Sequence, residues 1–143
     1  MLQPVTINLN RNQLGQEELE VLEAVRSEFS ASDLEIRLDA NGAWTASEAP
    51  GILEKLADLD IHSLEQPIQA GQAEAMQALC ADQAIPLALD EELIGLHSTE
   101  QRVRLLELIQ PAHIIMKPGL LGGFGSVQKW ITLAEERQIG WWI

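Results

Sequence analysis

Three apolar runs in this chain each end in an acid and then break. Ile36-Arg37-Leu38-Asp39 runs into Ala40-Asn41-Gly42, Ile61-His62-Ser63-Leu64-Glu65 into Gln66-Pro67, and Pro86-Leu87-Ala88-Leu89-Asp90 into Glu91-Glu92. Asp39, Glu65 and Asp90 are 26 and 25 residues apart. That interval is about one strand–loop–helix–loop unit, so it predicts the three acids at the C-terminal ends of three successive parallel strands. In a βα barrel the loops after the strands converge on that rim, and reactive groups come from the strand ends. Converging carboxylates repel one another unless a hard cation joins them, and Mg²⁺ suits such oxygen ligands. The spacing predicts a metal site. Taken singly, Asp39 also reads as a turn acid before Asn41-Gly42, and any of Asp90, Glu91 and Glu92 as a solvated charge.

The rest of the chain repeats the same grammar. Strands are predicted at Val5–Asn10, Leu34–Asp39, Ile61–Glu65, Ile85–Asp90, His113–Lys117 and Ile139–Ile143. Between them lie helical patterns: Gln16–Phe29 with a stripe through Leu19, Leu22, Val25 and Phe29, a segment through Leu53, Leu56 and Leu59, Gly71–Ala81, a run through Val103, Leu106 and Ile109, and Ser126–Arg137. Thr45-x-x-Glu48 and Ser98-x-x-Gln101 have the form of capping boxes, and Pro50 suits the first turn of the helix it opens. Strict alternation means a parallel sheet with right-handed crossovers. A phosphate-binding doubly wound sheet is disfavoured, because Gly122-Gly123 has neither glycine-loop spacing. Polar groups at nearly every strand end favour the barrel. A complete barrel takes about 250 residues, and this chain has 143. The expectation is therefore one α/β domain over residues 1–143, an incomplete (β/α)8 barrel of about six strands and five helices lacking its terminal strands. Its edges at Val5–Asn10 and Ile139–Ile143 would be open to pairing, which makes a homo-oligomer through those strands a further expectation.

Charge narrows the partners. A formal net charge of −13 disfavours nucleic acid and anionic membrane, both of which need basic patches. No apolar run reaches the roughly 18 residues of a membrane span, and Met1-Leu2-Gln3-Pro4 lacks signal-peptide character, so a soluble cytoplasmic chain is expected. The lone Cys80 sits in a helical pattern and reads as a small buried hydrophobe. Lys117 ends the strand after that of Asp90. A cation there serves either as a general acid or base, as electrostatic support for an enolate, or as a structural ion-pair partner of the acids. Strand parity places His62 opposite Glu65, on the helix-facing side. His97 and His113 are assigned to no site, and the four tryptophans to core and helix packing.

Leu38-Asp39-Ala40-Asn41-Gly42, Ser63-Leu64-Glu65-Gln66-Pro67-Ile68, Ala88-Leu89-Asp90-Glu91-Glu92 and Ile115-Met116-Lys117-Pro118, in that order, resemble the enolase superfamily. They are similar to its muconate-lactonizing subgroup, and Leu89–Gly95 and Gly140-Trp141-Trp142-Ile143 look most like the o-succinylbenzoate synthases of menaquinone biosynthesis. The resemblance runs from about Glu18 onward. It implies that Asp39, Glu65 and Asp90 are Mg²⁺ ligands, that Asn41 is a polar neighbour of the first, and that Lys117 stabilises an enolate by its charge. It further implies a small carboxylate substrate, 2-succinyl-6-hydroxy-2,4-cyclohexadiene-1-carboxylate, dehydrated with Mg²⁺ as cofactor. Mg²⁺ beside a Lys or His base is the superfamily's general pattern. Two departures accompany the likeness. Asn8-Leu9-Asn10 stands where the family has Lys-x-Lys, and an amide cannot serve as the base at neutral pH. The capping domain of the family has no counterpart. A divergent or partial form with impaired catalysis is expected. The alternatives are a dipeptide epimerase or N-acylamino-acid racemase, which needs lysines on both sides of the substrate, and a non-catalytic oligomeric or metal-binding partial barrel.

Overall fold

The structure, a computed structural model, describes residues 3–9, 14–82 and 84–143. Six parallel strands lie in chain order in one sheet: β1 (Gln3–Asn8), β2 (Leu34–Asp39), β3 (Ser63–Glu65), β4 (Leu87–Leu89), β5 (His113–Ile115) and β6 (Gly140–Trp142). Helices α1 (Gln16–Glu28), α2 (Ala49–Leu56), α3 (Ala73–Asp82), α4 (Thr99–Ile109) and α6 (Phe124–Glu136) return the chain between strands. The incomplete barrel is confirmed in outline. A short α5 (Pro118–Leu121) and 3₁₀ turns at Ala57–Leu59 and Glu91–Leu93 were not expected. Pro118 opens α5 rather than merely ending a strand, because proline is compatible with the first turn of a helix.

Local signals account for most boundaries. Ser98 accepts a hydrogen bond from the Gln101 N–H at 3.2 Å while the Gln101 side chain accepts from the Ser98 N–H at 3.0 Å, so the capping box opens α4. The Thr45–Glu48 box also forms, one turn ahead of α2, and Pro50 occupies that helix's first turn. The α1 stripe stops short of its predicted length. Leu22 is buried, but Phe29 caps the helix in extended conformation and is 48% exposed. Arg26, on the face of α1 opposite its apolar stripe, donates to the carbonyls of Leu59, Phe29, Leu34 and Asp60 and ties α1 to the start of β2 and the turn after α2. Strands β3 to β6 are shorter than expected; Pro86, which lacks a backbone N–H, stands just ahead of β4, and Pro118 opens α5 soon after β5.

Ile36, Leu38, Leu64, Leu87, Leu89 and Ile114 alternate onto the convex face, where they pack with Leu22, Leu53, Leu56, Met76, Leu106 and Trp130 of the helices. Among the described residues no helix is long and apolar enough to cross a membrane. Cys80 is half-buried against the core rather than fully buried, and burial pushes its thiol up to about 12.

The concave face carries the other parity. Near the N-terminal ends of the strands it holds Glu35, Arg37, His113 and Trp142, and here the expectation for His62 is overturned. His62 precedes β3 rather than lying within it, and its ring turns inward. It contacts Ser63 Oγ at 3.1 Å and stacks on His113 with ring centroids 4.9 Å apart. Trp142 likewise faces inward, under the Arg37 guanidinium at 4.1 Å. Trp44 and Trp130 are core residues as expected, and Trp141 is 38% exposed on β6.

Two predictions arise from this layer. A Cβ at Gly140 would stand 2.4 Å from the His113 ring, too close for any real contact. Gly140→Ala should therefore displace His113 and destabilise the β5–β6 edge by about 1–3 kcal/mol in urea unfolding; an unchanged midpoint would contradict the packing. The second concerns pH. Burial, then the charges of His62 and Arg37, lower His113 to about 4, against the smaller opposing pull of Glu35. A histidine depressed in the fold takes up its proton more readily when unfolded, so its contribution is complete above about pH 6.5 and is lost as pH falls toward 4. Allowing for solvent screening, about 1–2 kcal/mol is at stake. His113 Nδ1 is buried without a hydrogen-bond partner among the described residues, so His113→Phe should keep the fold. It should flatten the fall of Tm between pH 6.5 and 4.5; an equally steep fall would rule the histidine out as its source.

Candidate metal centre

Strand register brings the predicted rim together. Asn8 pairs with Asp39 and Asp39 with Glu65, so these side chains share one row of the concave face. Glu65 pairs with Ala88, and Ala88 with His113. Asp90 and Lys117 therefore lie one and two layers further along their strands, and the stagger of a barrel sheet lifts them to the same rim. Asp39, Glu65 and Asp90 are 8%, 8% and 3% exposed. Buried acids of this kind need partners.

Lys117 supplies one. Its ammonium group is paired with Asp90 and lies 3.5 Å from Glu65 Oε1. Burial alone would lower the Lys117 pKa, but the carboxylates of Asp90 and Glu65 outweigh it and hold the group above its usual value. Burial pushes Glu65 up to about 8, helped by the charge of Asp39 and a hydrogen bond with Asp90. Asp39 is raised too, by burial, against the Asn41 N–H that donates to its Oδ1 at 2.9 Å. Asn41 reaches that position in left-handed conformation, φ 49°, at the turn that Gly42 completes. A Cβ at Gly42 would press on the backbone of Gln69 at 3.1 Å, so the loops after β2 and β3 pack tightly.

Among the described residues no group of three or more His, Cys, Asp or Glu side chains stands at metal-ligand spacing. The ammonium ion of Lys117 joins Glu65 and Asp90 instead. The donor chemistry nevertheless fits a hard dication: carboxylate oxygens, crowded enough to raise Glu65, on a rim where positive charge is favoured. Glu91 adds a fourth carboxylate. Its Oε2 is buried without a partner among the described residues, and its pKa is raised by burial and then by Asp90. Asn8 closes the row on β1, exposed, and Asn10 lies outside the described residues. Sequence reasoning missed Gln66 and Glu92, both buried beneath the rim; a glutamine directly after a strand-end acid was the available signal. His97 is exposed and plays no part in the site.

A family model for the enolase C-terminal domain-like fold matches residues 6–143. The chain belongs to that family. It is 51% identical over 126 residues to the o-succinylbenzoate synthase of Desulfotalea psychrophila, covering 88% of this chain and 34% of that one. The crystal structure of MenC from the same organism superposes with a TM-score of 0.91 at 46% identity, over 98% of this chain and 38% of that one. The D-galactarolactone cycloisomerase of Agrobacterium fabrum is 34% identical over 83% of this chain and 30% of its own length. Muconate lactonizing enzyme from Pseudomonas putida shares the fold, with a TM-score of 0.83 at 22% identity. This enolase-family chain thus spans about a third of the length of the relatives it matches.

Proposed function

We propose that this chain carries the metal-binding rim of an o-succinylbenzoate synthase-like dehydratase, with Asp39, Glu65 and Asp90 as Mg²⁺ ligands. The observation that supports it is the convergence of these buried acids with Lys117 in a chain half identical to such a synthase. Bound there, Mg²⁺ would supply positive charge against the carboxylate of 2-succinyl-6-hydroxy-2,4-cyclohexadiene-1-carboxylate as its α-proton leaves. Asn41 orients Asp39. Lys117, always cationic at neutral pH, favours negative charge developing on the substrate. Asn10, which stands where the family's base would be, cannot abstract the proton, and Lys55 and Lys129 lie exposed on α2 and α6, away from the concave face. That leaves one lysine on the rim among the described residues. The epimerase reading wants two, so it is the weaker one.

Calorimetric titration of the purified chain with Mg²⁺ tests the proposal, followed by a dehydration assay with that substrate. Saturable binding is expected. Turnover should fall short of a synthase with an intact base by about 10²–10⁴. A folded chain that takes up no Mg²⁺ would sink the reading and leave a partial barrel without a metal. β1 and β6 are the sheet edges, and sedimentation velocity at the same concentrations reports whether copies associate through them.

A further inference from the structure

Directly under the rim, Gln66 and Glu92 interlock. Gln66 follows Glu65 in left-handed conformation, φ 39°, and is 1% exposed. Its backbone N–H donates to Ala88 at 2.9 Å and its carbonyl accepts from the Gly42 N–H at 2.7 Å, so it touches the ends of β4 and β2 as well as β3. Its side-chain oxygen accepts from the N–H of Asp90 at 3.1 Å and of Glu92 at 3.4 Å. Its amide nitrogen donates to the Ile68 carbonyl at 3.0 Å and to Glu92 Oε2 at 3.2 Å. The second oxygen of Glu92 accepts from the Gly71 N–H at 3.0 Å. Asp90 itself has φ −124° and ψ −80°, away from the regular helix and strand regions. Such backbone persists where its surroundings over-determine it.

We propose that Gln66 and Glu92 are positioning residues: a buried clip that fixes the backbone of Asp90 and so aims its carboxylate at the rim. The functional meaning of the clip rests on the metal reading above, but the clip is testable without metal. Gln66→Glu keeps the acceptor for the Asp90 N–H, loses the donor to Glu92 and to the Ile68 carbonyl, and sets two carboxylates against each other. Combining it with Glu92→Gln exchanges donor and acceptor and restores the contact between the two side chains. A merely space-filling pair would gain nothing from that exchange.

The test is amide hydrogen exchange on the metal-free ¹⁵N-labelled chain, then Mg²⁺ calorimetry, for the parent, Gln66→Glu, and Gln66→Glu with Glu92→Gln. Gln66→Glu should speed exchange at Asp90 and Glu92 at least about 10-fold more than at Ile36 and Leu64, and weaken Mg²⁺ binding about 10–100-fold. The double variant should recover most of both losses, the hydrogen bond to the Ile68 carbonyl alone staying lost. Unchanged exchange at Asp90 in the single variant overturns the proposal, as does a double variant that does not recover. Should the single variant not fold, a folded double variant with parent-like protection supports the clip, and an unfolded one overturns it. A parent that binds no Mg²⁺ defeats the metal reading, and the exchange data then decide the clip alone.

Discussion

Asp90→Ala is expected to lower Mg²⁺ affinity by at least about 100-fold, below detection in an ordinary calorimetric titration. Outer partners of metal ligands are typically worth 10–100-fold, and a ligand itself should exceed them. Asp90 is the most buried of the three acids and the partner of Lys117, so its loss removes a donor and frees a cation at the same point. Metal-free folding should survive, because Lys117 keeps Glu65 beside it and the rim loses one of its crowded carboxylates. Asp90→Asn separates charge from shape: it retains the Gln66 hydrogen bond to the backbone and should still weaken Mg²⁺ strongly. Parent-like titration of Asp90→Ala would mean that any Mg²⁺ bound sits elsewhere.

Trp130→Ala should cost about 3–5 kcal/mol in urea unfolding, the range for deleting a large buried aromatic. Trp130 is fully buried on α6. The Arg102 guanidinium lies 5.1 Å from its ring and donates to Leu96 and to the carbonyl and hydroxyl of Ser126. The ring and the arginine together join α4 to α6, so removing the ring leaves a cavity and strips a buried cation of its aromatic neighbour. Trp130 Nε1 has no hydrogen-bond partner among the described residues. Trp130→Phe therefore loses volume but no hydrogen bond, and should cost less than half as much. Equal losses in the two variants would mean that the indole N–H, rather than packing, carries the effect.

The strands and the rim acids were legible because their signals are local. Asp39, Glu65 and Asp90 recur at the length of one βα unit, and Ser98 with Gln101 caps a helix through atoms three residues apart. The anchoring by Arg26 was missed and Phe29 misread for the opposite reason. One finds two of its four carbonyls, those of Leu59 and Asp60, more than thirty residues along the chain and the other ends its helix pointing outward, and neither outcome changes the α1 periodicity. His62 was misplaced because parity holds only inside a strand, and β3 starts one residue after it.

By itself, then, the sequence determined the order of the elements, the parallel sheet and the identity of the acids at its strand ends, all consequences of period, capping and turn chemistry within about ten residues. Tertiary structure decided what those acids do to one another. Glu65 stands opposite Ala88 rather than Asp90, so the stagger between strands, which no spacing along the chain encodes, is what brings Lys117 between Glu65 and Asp90 and seats Gln66 beneath the Asp90 backbone.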